Sequence, residues 1–104
     1  MIGTDFSLEP GDPRFHYLSG EVAPGWVIRR PMQVRIERDE MGAYVASNEY
    51  LSIYGVGPDR DVAIEEYIAS LIEYYELIER EARDHEPTAY YLRRIRHFIS
   101  RVRA

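Results

Sequence analysis

The chain has 104 residues, 45% of them hydrophobic and 12% aromatic, with no cysteine and a formal net charge of −5. That length accommodates one domain with a thin core that an oligomer would reinforce, and the absence of thiols excludes a disulfide framework and thiolate metal sites. No basic start followed by an apolar run opens the sequence, and no apolar run nears the ~20 residues of a membrane span, so no signal peptide and no membrane segment are expected, and a cytoplasmic location is.

Residues 1–25 hold three of the six prolines and four of the seven glycines. Their apolar residues, among them Phe6, Phe15 and Tyr17, keep no sustained period, so 1–25 reads as an extended N-terminal arm. Residues 26–104 read as a single α+β domain. WVIRR (26–30) suggests a short strand that stops before Pro31, which biases Arg30 towards extended backbone. MQVRIER (32–38) alternates, with Met32, Val34 and Ile36 on one face and Gln33, Arg35 and Glu37 on the other. Asp39 and Gly42 supply turn chemistry, and AYVAS (43–47) returns as the second arm of an antiparallel hairpin. LSIYGV (51–56) gives a third strand, with Leu51, Ile53 and Gly55 on one face and Ser52, Tyr54 and Val56 on the other. Its glycine marks a bulge or an edge. The sum is a three-stranded antiparallel sheet.

At Gly57-Pro58-Asp59 the period changes. Asp59 is a good N-cap, and Asp61, Glu65 and Glu66 suit the positive end of a helix dipole. Ile64, Ile68, Leu71, Tyr75, Ile78 and Ala82 recur at helical spacing, predicting a long helix from about 59 to 84. At ~1.5 Å per residue it would run to roughly 37 Å, longer than the short sheet it must cover, so its far end needs another partner. Pro87 breaks it and fits the first turn of a second helix. Leu92, Ile95, Ile99 and Val102 continue a helical period there, and the short link predicts a helical hairpin. Charge divides along the same line. Residues 59–86 carry three basic and ten acidic groups, whereas 87–104 carry five arginines and no acid.

Little of this looks catalytic. His16, His85 and His97 have no second ligand at metal spacing and read as surface histidines. Turn and helix-start roles account for Asp39/Glu40 and Asp59/Asp61. YGVGP lacks the lysine and spacing of a phosphate loop, and no serine sits in a nucleophile elbow. No catalytic residue, metal or cofactor is assigned, and the protein is not expected to be an enzyme.

Two features speak to partners instead. Tyr74-Tyr75 and Tyr90-Tyr91 place rings about 100° apart on a helix, so one ring of each pair faces the hairpin and the other meets the sheet, a second subunit or a partner. The segment YYLRRIRHFISRVRA (90–104) puts Arg93, Arg94, Arg96 and Arg101 on a basic helix near Tyr90. Those four arginines, with Tyr74 and Tyr90, form the candidate interface. The arginines can neutralise the acidic helix, meet an acidic partner, or contact nucleic-acid phosphates. No membrane partner is expected.

The order of parts over about 32–80 resembles the N-terminal domain of HicB-like antitoxins. The matching residues are Asp39 and Gly42 in the acidic turn, Tyr44, Val45 and Ala46 in the strand, Gly57 at the end of the next strand, and Ala63 in the opening of the helix. Asp59 stands where that pattern has a capping hydroxyl. The resemblance implies a partial ribonuclease H-like β-β-β-α unit without catalytic carboxylates, which binds and blocks a small ribonuclease toxin of the HicA type. Many members add a C-terminal DNA-binding domain, where this chain has one further helix. The expected function is therefore a non-enzymatic protein-binding domain, homodimeric, with a ribonuclease toxin as partner. The alternative is a nucleic-acid-binding accessory protein that uses the arginine helix.

Overall fold

A computed structural model describes residues 13–102, which form β1 (Phe15–Ala23), β2 (Trp26–Arg38), β3 (Tyr44–Asn48), β4 (Leu51–Gly57), α1 (Arg60–Glu81), α2 (Glu86–Ile95) and β5 (Ile99–Arg101). The strands make one antiparallel sheet in the order β1-β2-β3-β4, with β5 pairing β2 beyond the end of β3. The α+β class is as expected, but the sheet has five strands where the alternation predicts three.

The two extra strands were hidden for different reasons. β1 lies in the expected arm, and its register shifts twice, between Leu18 and Gly20 and between Glu21 and Ala23. Each shift breaks the period of two, and Gly20 adopts a left-handed φ of 69° at the first. The rest of that arm, including Phe6, lies outside the described residues. β5 lies where the second helix was expected to continue. α2 stops at Ile95, and the amides of His97 and Phe98 then bond back to the carbonyls of Arg94 and Ile95 in a tight turn. The turn delivers Ile99 to β2 as a fully buried strand residue, so the spacing from Ile95 to Ile99 is met without a helix between them.

β2 also runs straight through Pro31, where a stop was expected. On one flank β5 pairs Trp26–Ile28 and β3 pairs Arg35–Arg38, leaving Pro31 between them. On the other flank the β1 ladder shifts register at the same level. A residue with no N–H to donate disturbs little there.

The hairpin turn is as the residues predict. Asp39 Oδ1 accepts from the amides of Met41 and Ala43, both at 2.9 Å, and Gly42 takes a φ of 87° that a side chain would disfavour. At the start of α1, Asp59 Oδ1 accepts from the Val62 amide at 2.9 Å, the N-cap expected from the sequence.

Helix α1 covers one side of the sheet. It comes down onto β4 at Gly55, where a Cβ would collide with the backbone of Tyr67 and Ala63, and at Gly57, where it would meet Val62. β4 is an edge strand, one of the two readings its glycine offered, but its register is unbroken at Gly55, which marks a close helix–sheet approach and not a bulge. The core fills outward from that contact. Val34, Ala46, Ala63, Tyr67, Leu71, Ile95 and Ile99 are fully enclosed. The far half of α1 packs against α2 and is bridged to β5 by Arg101, which supplies the further partner its length required.

Candidate partner interface

The six candidate residues separate into three groups. The first lies on the side of α2 away from the core. Leu92 and Ile95 turn inward, leaving Tyr90 and Tyr91 52% and 49% exposed. Their rings meet edge to face at 5.4 Å. The Arg94 guanidinium lies 6.0 Å from the Tyr90 ring, one helical turn on. Arg93 is largely exposed and pairs loosely with Glu86 at 3.7 Å. Pairs of this kind at a surface contribute about 0–1 kcal/mol, so neither arginine is firmly committed within the chain.

Arg96 and Arg101 form the second group, turned the other way onto α1. Arg101 grips Glu79 through both guanidinium nitrogens, at 3.0 and 3.2 Å, and reaches Glu76 at 3.8 Å. Its guanidinium also lies 4.9 Å from the Trp26 ring and 5.6 Å from Tyr75. Arg96 donates from Nε to the Tyr75 hydroxyl at 3.2 Å and pairs with Glu79 at 3.7 Å. Beneath them Trp26 and Tyr75 pack edge to face at 5.0 Å. The acidic-helix role suggested for the basic tail is thus filled by these two arginines.

Tyr74 stands alone as the third. It is half-buried against the core, while its neighbour Tyr75 carries the clasp just described. The candidate residues that share one accessible surface are therefore Tyr90, Arg93 and Arg94, joined by Tyr91.

The sheet's other face offers a second surface that the sequence did not single out. α1 covers only the inner side, so the outward residues of β1 to β4 lie open in a groove of about 740 Å³ lined in part by Phe15, Tyr17, Gln33, Arg35, Tyr50 and Tyr54. The Gln33 side-chain amide donates to the Tyr17 hydroxyl at 2.8 Å. The alternation already put Gln33, Arg35, Glu37, Tyr54 and Val56 outside. Missing was β1, whose Phe15 and Tyr17 complete the surface.

Two groups are electrostatically displaced. Burial, with the Arg60 guanidinium second, lowers the His16 pKa from its usual value, and Asp61 partly opposes this. His16 is half-buried on the inner side of β1, whereas His85 and His97 are exposed as expected. Burial raises the Tyr67 pKa, and its hydroxyl has no hydrogen-bond partner among the described residues. No group of three potential ligands that could hold a metal ion occurs among the described residues, and no helix among them is long and apolar enough to cross a membrane.

Residues 32–81 follow the order β-β-β-α, which many unrelated folds share. No family model matches the chain, and no curated protein or solved structure matches it significantly either.

Proposed function

We propose that this chain is a non-enzymatic binding module that engages a protein partner through the exposed side of α2. The carrying observation is the cluster of Tyr90, Tyr91, Arg93 and Arg94, two half-exposed rings in mutual contact with two arginines that α1 does not claim. Tyrosine and arginine dominate the energetic centres of protein interfaces. They bring large contact area and planar, multi-donor charge at low cost in side-chain entropy. The partner face that suits them is acidic and partly apolar. The resemblance to HicB-like antitoxins makes the partner a small ribonuclease toxin.

The test is co-expression of the tagged chain with the protein encoded beside it. Co-elution that is lost when Tyr90→Ala and Arg94→Glu are combined, with the far-ultraviolet circular dichroism unchanged, supports the reading. Co-elution indifferent to that variant, or no co-elution at all, sinks it.

A second reading is supported by the same two arginines beside stackable rings: single-stranded nucleic acid held by phosphate contacts and stacking. It predicts binding that weakens steeply with salt and fails in Arg93→Glu/Arg94→Glu. Against it stands the surrounding charge, since residues 59–86 carry ten acids.

A further inference from the structure

We propose that the outer face of the sheet is a homodimer interface, in which two copies meet face to face about a two-fold axis crossing β2 at Ile36. The α2 reading rests on another surface, so either proposal can fail alone.

The pairing register fixes what lies on this face. One row across the sheet reads Phe15, Arg35, Ser47, Tyr54, and the next reads Glu37, Val45, Val56. Tyr54 and Val56 are 61% and 53% exposed, a large apolar area for a surface with nothing over it among the described residues. Arg35 and Glu37 are both exposed and only 4.0 Å apart. They stand two residues apart on β2, an inner strand of the sheet.

A two-fold axis lying in the interface and crossing β2 at Ile36 exchanges these two rows. Arg35 of each copy then meets Glu37 of the other, Tyr54 meets Val56, and Ser47 meets Val45. These three pairings set opposite charges together at the centre, ring against valine at the β4 edge and a small hydroxyl against valine between them, with Phe15 at the end of its row facing no counterpart on β1. That is the self-complementarity an isologous interface requires of a single surface. The two sheets would stack about 10 Å apart, as in a β-sandwich.

The charge of the layer favours a second copy over other occupants. Residues 13–58 carry five arginines and five acids and are neutral, whereas 59–86 carry a net −7. Two acidic molecules can approach through their neutral sheet sides with their acidic helices pointing apart. A nucleic acid would find no net positive field on this face. The apolar rings and valines provide the attraction, and the charge pairs set the register.

The experiment is sedimentation or light-scattering mass over a concentration series. The wild-type chain of 12.2 kDa is expected to approach twice that mass. Arg35→Glu places two acids against two acids, and Glu37→Arg places two arginines against two arginines. Each change alone should weaken self-association by tenfold or more, because like charges face one another across the interface, a penalty of at least ~1.4 kcal/mol. Mixing the two single variants restores complementarity and should give a heterodimer, and the double swap Arg35→Glu/Glu37→Arg should again self-associate. Neither site is in the core, so circular dichroism should match wild type throughout. A wild-type monomer at every concentration overturns the proposal. A dimer that survives both single changes does so too, as does a mixture that remains monomeric.

Discussion

The two halves of α1 are held to the rest of the molecule by opposite means. The first half rests on glycine: at Gly55 and Gly57 the helix comes so close to β4 that no side chain fits between. The second half packs through the side chains of Leu71, Tyr75 and Ile78 and is tied down by long ones, with Arg101 and Arg96 bridging to Glu76 and Glu79 over the Trp26–Tyr75 pair. A backbone-to-backbone contact admits no adjustment, whereas a clasp of guanidinium, ring and carboxylate can give at each rotamer. The first contact therefore dictates where the helix lies, and the second tunes how firmly β5 and the far end of α1 hold together.

Gly55→Ala should break the comparison most sharply. The new Cβ would run into main-chain atoms of Tyr67 and Ala63, which no side-chain rotation relieves, so the helix must lift from the sheet. Overpacking of this kind costs about 3 kcal/mol or more, measured as the fall in unfolding free energy in urea. A loss below ~0.5 kcal/mol would mean that α1 does not sit against β4 as described.

Arg101→Met tests the other half and should cost less. It keeps an apolar stem over Trp26 while removing the guanidinium from two rings and two acids. Exposed cation–π and ion-pair contributions together suggest about 1–2 kcal/mol. A double-mutant cycle with Glu79→Gln should return a coupling of roughly 0.5–1 kcal/mol that shrinks in high salt. A coupling indistinguishable from zero would reduce the clasp to ring packing alone.

Tyr67→Phe sharpens the comparison from the glycine side, with a change of opposite sign. Tyr67 is fully buried and its hydroxyl lacks a partner among the described residues. A buried donor left unmade is a standing cost, so its removal with the ring retained should leave stability unchanged or raise it by about 1 kcal/mol. A loss above ~1 kcal/mol would show that the hydroxyl bonds to a water or to a residue outside those described.

The same contrast explains what could be read from the sequence. Local rules are written in single residues, so the Asp39–Gly42 turn, the Asp59 cap, the Pro87 start and the stripe along α1 were all legible. The class of fold followed from them. Long-range pairing is not written that way. β1 was obscured because its register shifts cancel its alternation, and β5 because three residues cannot display a period. The role of Gly55 as a contact point depends on the helix that lands on it. Of the candidate interface, Tyr90, Arg93 and Arg94 could be grouped by helical spacing, yet the inward turn of Arg96 and Arg101 depended on β5, and so did not show. The outer sheet face was half legible, through the alternation of β2 and β4, and lacked only the strand that supplies Phe15 and Tyr17.

The smallest expected effect is one of pH, and it too should distinguish the halves of α1. His16 packs on the inner side of β1 opposite the fully buried Val34. Arg60, in the first turn of the helix, donates to the neighbouring Phe15 carbonyl at 2.7 Å. Burial first and the Arg60 charge second hold the His16 pKa below its usual 6.5, against a partial pull from Asp61. As pH falls through 6.5 the unfolded chain therefore takes up this proton before the folded one, and stability declines. Well above 6.5 the imidazole is neutral in both states and the dependence vanishes. The urea midpoint of the wild type should fall as the pH is lowered from neutrality. His16→Gln should flatten that fall, whereas Arg101→Met should leave its slope intact, because Arg101 binds the opposite end of α1 from the Arg60 contact beside His16. Equal slopes in the wild type and His16→Gln would remove His16 as the cause. A flattened slope in Arg101→Met would mean that the two halves of α1 do not respond independently.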